Sequence, residues 1–283
     1  MGNEKRRSGL RARAGVTVRV LGFVVLGGLL LSGCQDFFVY HPTTEDEETL
    51  RALAESRSLE PWPAASEERI GWYAASPTAG EEQRVIIFHG NGGQAVDRDH
   101  YVRAFHGPRA RGAWDAYILE YPGYGSRPGD PSEEAFLAAA RDATERLLDQ
   151  EPEEPLYVVG TSLGSGVASQ IAADYPERVP AILLITPFTN IEDVGAATFP
   201  RFLVRMILRD RYDNERALAQ YNGRVAVLLA GEDRVVPTEL GRRLYDGYDG
   251  PKELWIQPEA GHNTLNFDPG LEFWAEVTRF LTE

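Results

Sequence analysis

Residues Leu156–Gly166, LYVVGTSLGSG, carry the clearest indication of fold in this 283-residue chain. Its first half is a short apolar run with two valines and a tyrosine, which is typical of a buried strand. The run leads directly into Gly-x-Ser-x-Gly, and residues 167–173 behind it have helical character. Glycines are needed on both sides of Ser162 because larger side chains would collide with the backbone of so tight a turn. The motif predicts a strained turn that exposes the Ser162 hydroxyl above the N–H of Leu163; the alternative is an ordinary turn that carries a polar residue.

The rest of the chain alternates between strand-like and helix-like segments. Residues 69–75 alternate in polarity, as an antiparallel strand would. Continuous apolar runs predict buried strands at 84–89, 117–121, 181–185, 225–229 and 254–256. Helical spacing is found at 132–150, 238–248 and 271–281. Strands that alternate with helices predict an α/β fold with a mostly parallel, doubly wound sheet.

One long segment, 187–222, interrupts this alternation. Residues 198–209 at its centre mix apolar residues with arginines, which predicts an amphipathic helix inside a small helical cap. Three interpretations of this cap stay open: a lid over a site, a surface that docks on a membrane, or a helix packed on the core. Its arginines form a local basic cluster: Arg201, Arg205, Arg209 and Arg211.

The charge of the chain excludes one class of partner. The net charge is −14, and the two signs are segregated, because six of the 29 basic residues but one of the 43 acidic residues lie in 1–33. Removal of that segment would leave about −19, a surface that repels nucleic acid. We therefore expect no nucleic-acid partner. A single cysteine, Cys34, excludes intrachain disulfides and a cysteine metal site.

The first 33 residues have the pattern of a targeting segment. A basic stretch is followed by Val20–Leu31, twelve residues without charge, which is too short to span a bilayer core of ~30 Å comfortably. The run ends in Leu-Ser-Gly-Cys, which resembles the lipobox of bacterial lipoproteins. The resemblance implies a signal peptide over 1–33, a lipid on the Cys34 thiol, and a protein anchored to a membrane of the bacterial cell envelope, on the periplasmic side or the cell surface. A plain secretory signal and an uncleaved N-terminal anchor are the alternatives.

A lead-in segment, 34–64, connects Cys34 to the periodic part of the chain. Helical spacing with many acidic residues over 43–58, followed by Pro61-Trp62-Pro63, predicts a segment that lies over the main domain and is not a flexible tether. The main domain is expected over 65–283.

Ser162 needs partners, because a serine hydroxyl is a poor nucleophile at neutral pH. Of five histidines, only His262 lies beyond a candidate acid in the order Ser, Asp, His, in a loop directly after the last predicted strand. The acid is expected in the loop after the preceding strand, where Glu232 and Asp233 are adjacent and only one can face the histidine. We choose Asp233 as the group that orients His262.

Acyl transfer also needs two N–H donors that bind the developing oxyanion. Leu163 would supply one. The glycine-rich loop His89-Gly90-Asn91-Gly92-Gly93 would supply the other, from the N–H of Asn91, and His89 would orient this loop. A phosphate-binding role of the loop is disfavoured because no Gly-Lys-Ser/Thr follows it.

Together these motifs resemble the α/β-hydrolase superfamily, and most closely its serine hydrolases with small caps, which include protein depalmitoylases and assorted esterases. The motifs that carry the resemblance are His89–Gly93, Tyr121–Ser126, Gly160–Gly164, Gly231–Pro237 and Gly261–Asn263. It implies hydrolysis of a carboxylic ester or thioester of a small-molecule or acyl substrate through an acyl-enzyme, without a metal or an organic cofactor. Two alternatives stay open: an amidase or peptidase on the same residues, and a non-catalytic envelope binding or scaffold protein.

Overall fold

The computed structural model describes residues 39–63, 68–80 and 82–283. The predicted signal peptide, 1–33, and the predicted lipid attachment site, Cys34, lie outside the described residues. Within the described ranges, no helix is long and apolar enough to cross a membrane.

The centre of the molecule is an eight-stranded sheet with the order β10-β9-β8-β7-β4-β6-β3-β2. Its strands are β2 Glu60–Trp62, β3 Gly71–Ala74, β4 Glu82–Phe88, β6 Ala113–Leu119, β7 Leu156–Thr161, β8 Ala181–Ile185, β9 Arg224–Ala230 and β10 Lys252–Gln257. Strand β3 pairs antiparallel with β2 and β6, and the other pairs are parallel. The expected mostly parallel sheet is thus confirmed, including the antiparallel strand near residues 69–75. A separate two-stranded sheet joins β1 His41–Pro42 to β5 Gly92–Gly93.

Helices cover both faces of the main sheet, as a doubly wound fold requires. They are α1 Glu47–Ser56, α2 Asp99–Phe105, α3 Glu133–Gln150, α4 Leu163–Asp174, α5 Ile191–Ala196, α6 Arg201–Ile207, α7 Asn214–Leu218, α8 Thr238–Gly247 and α9 Glu272–Thr282. Side chains of α3, α4 and α8 pack in one core, and side chains of α1, α2 and α9 pack in the other. The strands are apolar throughout because both faces are covered: Val158 and Val159 of β7 are fully buried, one in each core.

The lead-in packs on the domain, as expected from its sequence. Val39, Tyr40 and Trp62 are buried, and β2 forms the edge strand of the main sheet. Helix α1 begins later than the helical spacing of 43–58 suggests, because the Asp46 carboxylate accepts a 2.9 Å hydrogen bond from the N–H of Thr49 and caps the helix there.

Two elements differ from the sequence-based expectation. Strand β6 runs from Ala113 to Leu119, so it begins four residues and ends two residues earlier than the predicted strand at 117–121. The polar Asp115 within it interrupts the apolar run, but its carboxylate accepts hydrogen bonds from the Tyr73 hydroxyl and the Ser76 N–H. Helix α2 was not expected, because its seven residues are too few to show a clear helical period.

The segment between β8 and β9 forms three short helices, α5, α6 and α7. Helix α6 replaces the longer amphipathic helix expected over 198–209, and Pro200 precedes its first residue. Val204 is the buried residue of α6, and Phe202 and Met206 are exposed. Helices α5 and α6 lie beside the carboxyl edge of the sheet, where the candidate site is found, and α7 contacts α4 and α8.

Candidate active site

Ser162 lies in the sharp turn between β7 and α4, with φ of 51° and ψ of −120°. A non-glycine residue with positive φ is strained, and such strain is concentrated at functional sites. The glycines of the motif make the turn possible. A Cβ on Gly164 would lie 2.1 Å from the carbonyl oxygen of Phe88, and a Cβ on Gly160 would lie 2.5 Å from the carbonyl oxygen of Gly164 and from the Cβ of Ala168. The two glycines therefore allow β4, β7 and α4 to approach one another closely at the turn.

Loops after β9 and β10 bring an acid and a base to Ser162. His262 Nε2 lies 3.0 Å from Ser162 Oγ, and His262 Nδ1 lies 2.7 Å from Asp233 Oδ2. A carboxylate only accepts hydrogen bonds, so Nδ1 of a neutral His262 donates to Asp233 and Nε2 accepts from the serine hydroxyl. The side chains of His262 and Asp233 are 10% and 2% exposed, so both bonds are largely shielded from water.

Main-chain hydrogen bonds hold the carboxylate of Asp233 in position for His262. Asp233 Oδ1 accepts from the N–H groups of Val235 and Val236 at 2.9 and 2.8 Å, which leaves Oδ2 for His262. The adjacent Glu232 is exposed. The structure therefore places Asp233, and not Glu232, against the imidazole.

The two predicted oxyanion donors lie beside the same serine. Leu163 is the first residue of α4, so its N–H has no acceptor within the helix. Asn91 and Leu163 line one cavity together with Ser162. The loop that carries Asn91 passes close to the turn, because a Cβ on Gly90 would lie 3.4 Å from the Ser162 Cβ.

The lead-in holds the Asn91 loop in place. Asn91 Nδ2 donates to the carbonyl of Val39 at 2.9 Å, and the carbonyl of Asn91 accepts from the N–H of His41 at 3.0 Å and from the Tyr124 hydroxyl at 2.7 Å. Tyr40 bonds to Asp210 near the cap, and burial, with the neighbouring charges, raises the pKa of Tyr40. The lead-in thus connects the Asn91 loop to the cap.

His89 supports this loop from below and does not reach Ser162. It is fully buried, and its Nδ1 lies 2.8 Å from the carbonyl oxygen of Gly90, which can only accept. Its Nε2 lies 3.7 Å from a carboxylate oxygen of Glu120, beyond hydrogen-bonding distance. Glu120 instead accepts from the N–H of Ala95 at 2.9 Å. His89 therefore contacts the peptide that precedes Asn91, the place where an orienting residue would act.

Ser162 opens into a cavity of about 480 Å³. Its polar lining comes from Ser162, Asn91 and His41, and the rest is apolar or glycine. The lead-in contributes Val39, and the loop after β9 contributes Val235 and Val236. Residues of the cap line most of the remaining wall, among them Ile191, Val194, Phe199, Leu203, Val204 and Ile207. Within the described ranges, no group of three His, Cys, Asp or Glu side chains is placed to hold a metal ion.

Buried carboxylates of α5 bind the arginines of the cap. Glu192 lies 2.7 Å from Arg201 and 2.8 Å from Arg205, and Asp193 lies 2.5 Å from Arg201 and also contacts Arg243. Burial alone would raise the pKa of Asp193, but the Thr189 hydroxyl and the two guanidinium groups outweigh burial and hold this pKa below its usual value. The local basic cluster expected from the sequence is therefore largely paired within the cap.

Sequence reasoning missed the contribution of the lead-in to this site. Val39 and His41 of the lead-in line the cavity, and the sequence pattern assigns neither of them to the site. Tyr124 was noticed as part of a motif, but its bond to Asn91 was not anticipated. Two of the three contacts to Asn91 use main-chain groups of the lead-in, which leave no mark on side-chain patterns.

Comparisons with known proteins agree with this architecture. The family described as alpha/beta hydrolase fold matches residues 83–216. An uncharacterized protein of Mycobacterium tuberculosis is 34% identical over 215 residues, which cover 75% of this chain and 74% of that protein. The lysophosphatidylserine lipase of Danio rerio is 28% identical over 201 residues, which cover 65% of this chain and 52% of the lipase. Among solved structures, an esterase of Pyrococcus furiosus has the same fold, with a TM-score of 0.62 at 17% identity over 86% of this chain and 97% of the esterase.

Proposed function

Because the chain belongs to the α/β-hydrolase superfamily, we propose that it is a serine hydrolase that cleaves a carboxylic ester or thioester through an acyl-enzyme. This proposal rests on the two hydrogen bonds that link Ser162 to His262 and His262 to Asp233. Three side chains linked in this way supply a nucleophile, a base that takes its proton, and a carboxylate that orients the base.

In the proposed reaction, Ser162 Oγ attacks the carbonyl carbon of the substrate as its proton passes to His262 Nε2. Asp233 stabilises the imidazolium and does not take the proton. The N–H groups of Leu163 and Asn91 bind the oxyanion of the tetrahedral intermediate, a contribution worth about 10²–10³ in rate for each donor. His262 then protonates the leaving oxygen or sulfur as its bond to carbon breaks. Water, deprotonated by His262, releases the acid and restores Ser162.

The apolar cavity favours a substrate with an acyl chain. A cavity of about 480 Å³ with three polar lining residues suits a hydrocarbon chain better than a charged group. A relative named for lipase activity on lysophosphatidylserine supports the same substrate class. We propose that the acyl chain lies between the cap and the loop that carries Val235, with its carbonyl carbon at Ser162.

We further propose that this hydrolase is a lipoprotein of the bacterial cell envelope, attached to the membrane by a lipid on Cys34. The lipobox-like Leu-Ser-Gly-Cys at the end of an uncharged run of twelve residues supports this proposal. Mass spectrometry of the mature N-terminus tests it. A diacylated peptide that begins at Cys34 is expected, and an uncleaved chain or an unmodified cysteine would contradict it.

Labelling with a fluorophosphonate probe tests the proposed catalytic role. We expect labelling of the wild type, none of Ser162→Ala, and strongly reduced labelling of His262→Ala, because the probe reacts with an activated serine. Ser169→Ala is a matched control, since Ser169 lies in α4 with a buried hydroxyl that has no hydrogen-bond partner among the described residues. Equal labelling of wild type and Ser162→Ala, or no labelling of a folded wild type, would favour a non-catalytic binding or scaffold protein.

A further inference from the structure

Four large apolar side chains of the cap are exposed, where folding alone would favour their burial. Phe199, Phe202, Leu203 and Met206 are 56%, 64%, 39% and 51% exposed, and we call them the cap stripe. Phe202, Leu203 and Met206 belong to α6, where their spacing of one and three residues places them on one side of the helix, and Phe199 lies two residues before its first residue. Phe199 and Leu203 also line the cavity, and Val235, 57% exposed, lines the same cavity from the loop after β9. The cap stripe is therefore continuous with the cavity lining.

We propose that the cap stripe docks on the surface of a lipid bilayer, so that an acyl chain of a membrane lipid passes directly into the cavity. This inference rests on the proposed hydrolase function and deepens it by naming the source of the substrate. Contiguous exposed apolar side chains mark interaction surfaces, and their removal from water favours docking. A bilayer is also the phase in which long acyl chains are found. A protein bound to the stripe would instead cover the adjoining cavity and block the entry of substrate.

A lipid on Cys34 would place a bilayer close to the cap stripe, because few residues separate Cys34 from the wall of the cavity. Val39, the first described residue, lines the cavity and lies five residues after Cys34. Five residues span at most about 18 Å even when fully extended. A lipid on Cys34 would therefore hold the bilayer surface within that distance of the cavity wall.

Charge distribution indicates that this docking is apolar and not electrostatic. The net charge of about −19 that remains without residues 1–33 disfavours anionic lipid headgroups. Arg201, Arg205 and Arg211 flank the stripe but each contacts the carboxylate of Glu192. We therefore expect a neutral phosphatidylcholine bilayer to be sufficient, with little dependence on salt.

A fluorophore placed at the cap stripe tests the docked orientation without any need for hydrolysis. The full chain carries Ser162→Ala and Met206→Cys, labelled with an environment-sensitive dye and reconstituted in phosphatidylcholine vesicles with brominated acyl chains. Ile256→Cys is the matched control, because Ile256 is 36% exposed on the edge strand β10 and does not line the cavity. The parent chain without an added cysteine measures any label at Cys34, the only native cysteine.

We expect quenching and a blue shift at position 206 but not at position 256, unchanged by added phosphatidylglycerol and by salt raised from about 0.1 M to about 1 M. Equal signals at the two positions, or a dye at 206 that stays in water, would overturn the proposal. Quenching that requires anionic lipid and disappears in high salt would also overturn it, because it would indicate electrostatic docking.

Activity of a double variant provides the second measurement. Phe202→Ser with Met206→Ser changes two residues of the stripe that do not line the cavity, and Ile256→Ser is again the control. Hydrolysis of a long-chain ester embedded in phosphatidylcholine vesicles should fall at least about tenfold, while that of a soluble short-chain ester should change less than about twofold. An equal loss on both substrates would overturn the role of the stripe. A wild type that hydrolyses neither ester would contradict the hydrolase function, and the quenching result would still decide docking.

Discussion

The carboxyl edge of the sheet and the cap beside it are held by different interactions. At the sheet edge, Ser162 and Asp233 are fixed by main-chain hydrogen bonds and by close backbone contacts within buried elements. In the cap, Phe188, Tyr212 and Leu218 are buried in the core. Helix α5 is joined to α6 by ion pairs between partly exposed Arg201 and the carboxylates of Glu192 and Asp193, and α6 leaves apolar side chains in water. Exposed ion pairs stabilise little, whereas a packed backbone resists displacement.

In the proposed hydrolase, the sheet edge would hold the reacting groups and the cap would influence the choice of substrate. The reacting groups must be held within a fraction of an ångström, so they belong on rigid elements. The cap lines most of the apolar wall of the cavity, so in the proposed hydrolase its side chains would contact the acyl part of the substrate. We therefore expect substitutions at the sheet edge to lower kcat and substitutions in the cap to change KM or substrate preference.

Loss of the acid should have the largest effect. Asp233→Asn would present an amide to His262 Nδ1 and favour the wrong tautomer, so we expect kcat to fall about 10⁴-fold with little change in thermal stability. Steady-state kinetics on a soluble ester measures this effect. Glu232→Gln is the matched control, because the exposed neighbour should be neutral. A similar loss in both variants would show that the loop, and not the carboxylate at Asp233, matters.

A glycine pair tests the rigidity of the sheet edge. Gly164→Ala would force a Cβ to 2.1 Å from the Phe88 carbonyl oxygen, so the turn must shift, and we expect destabilisation of about 3 kcal/mol together with loss of probe labelling. Gly92→Ala adds a Cβ that has no atom of the described part of the chain within 4 Å, so we expect a change below about 0.5 kcal/mol in the free energy of unfolding. Urea unfolding of both variants measures the difference. Equal stability of the two variants would show that the turn accommodates a Cβ at position 164 more easily than its contacts indicate.

Acid should loosen the cap before the sheet, as the smallest of the three effects. The pKa of Asp193 and that of Glu192 lie below their usual values in the folded protein, because hydrogen bonds and ion pairs outweigh burial. The stability they contribute is present above the usual carboxyl range near pH 4 and is lost as pH falls through the lower folded-state values. Limited proteolysis with pepsin should therefore cut within 187–222 first. Cleavage elsewhere at the same rate would contradict a separately held cap.

Much of the sheet edge could be predicted from the sequence, because each residue there lies directly after an apolar strand. Ser162 and His262 are 100 residues apart in the chain, yet both follow parallel strands whose carboxyl ends meet at one edge. The structure brings them together with Asp233 at 2.7–3.0 Å. Their catalytic role stays a prediction that probe labelling will test.

The cap could be predicted only in outline. Its position and helical character follow from the break in the alternation of strands and helices, and a basic cluster follows from the arginines. The bonds from Arg201 and Arg243 to Asp193 do not, since these partners lie 8 and 50 residues away and their distances depend on how α5, α6 and α8 pack. The exposure of Phe202 does not follow from the sequence either, because an amphipathic pattern predicts an apolar face without saying what that face contacts.

The α/β architecture and the candidate reacting side chains follow from the amino-acid sequence, because strand periodicity and glycine-flanked turns are local properties of the chain. Tertiary structure alone decided how the lead-in enters the site, where Val39 and His41 hold the Asn91 loop. Main-chain hydrogen bonds cause this difference: every residue offers the same N–H and C=O groups, so only the folded backbone selects which of them meet.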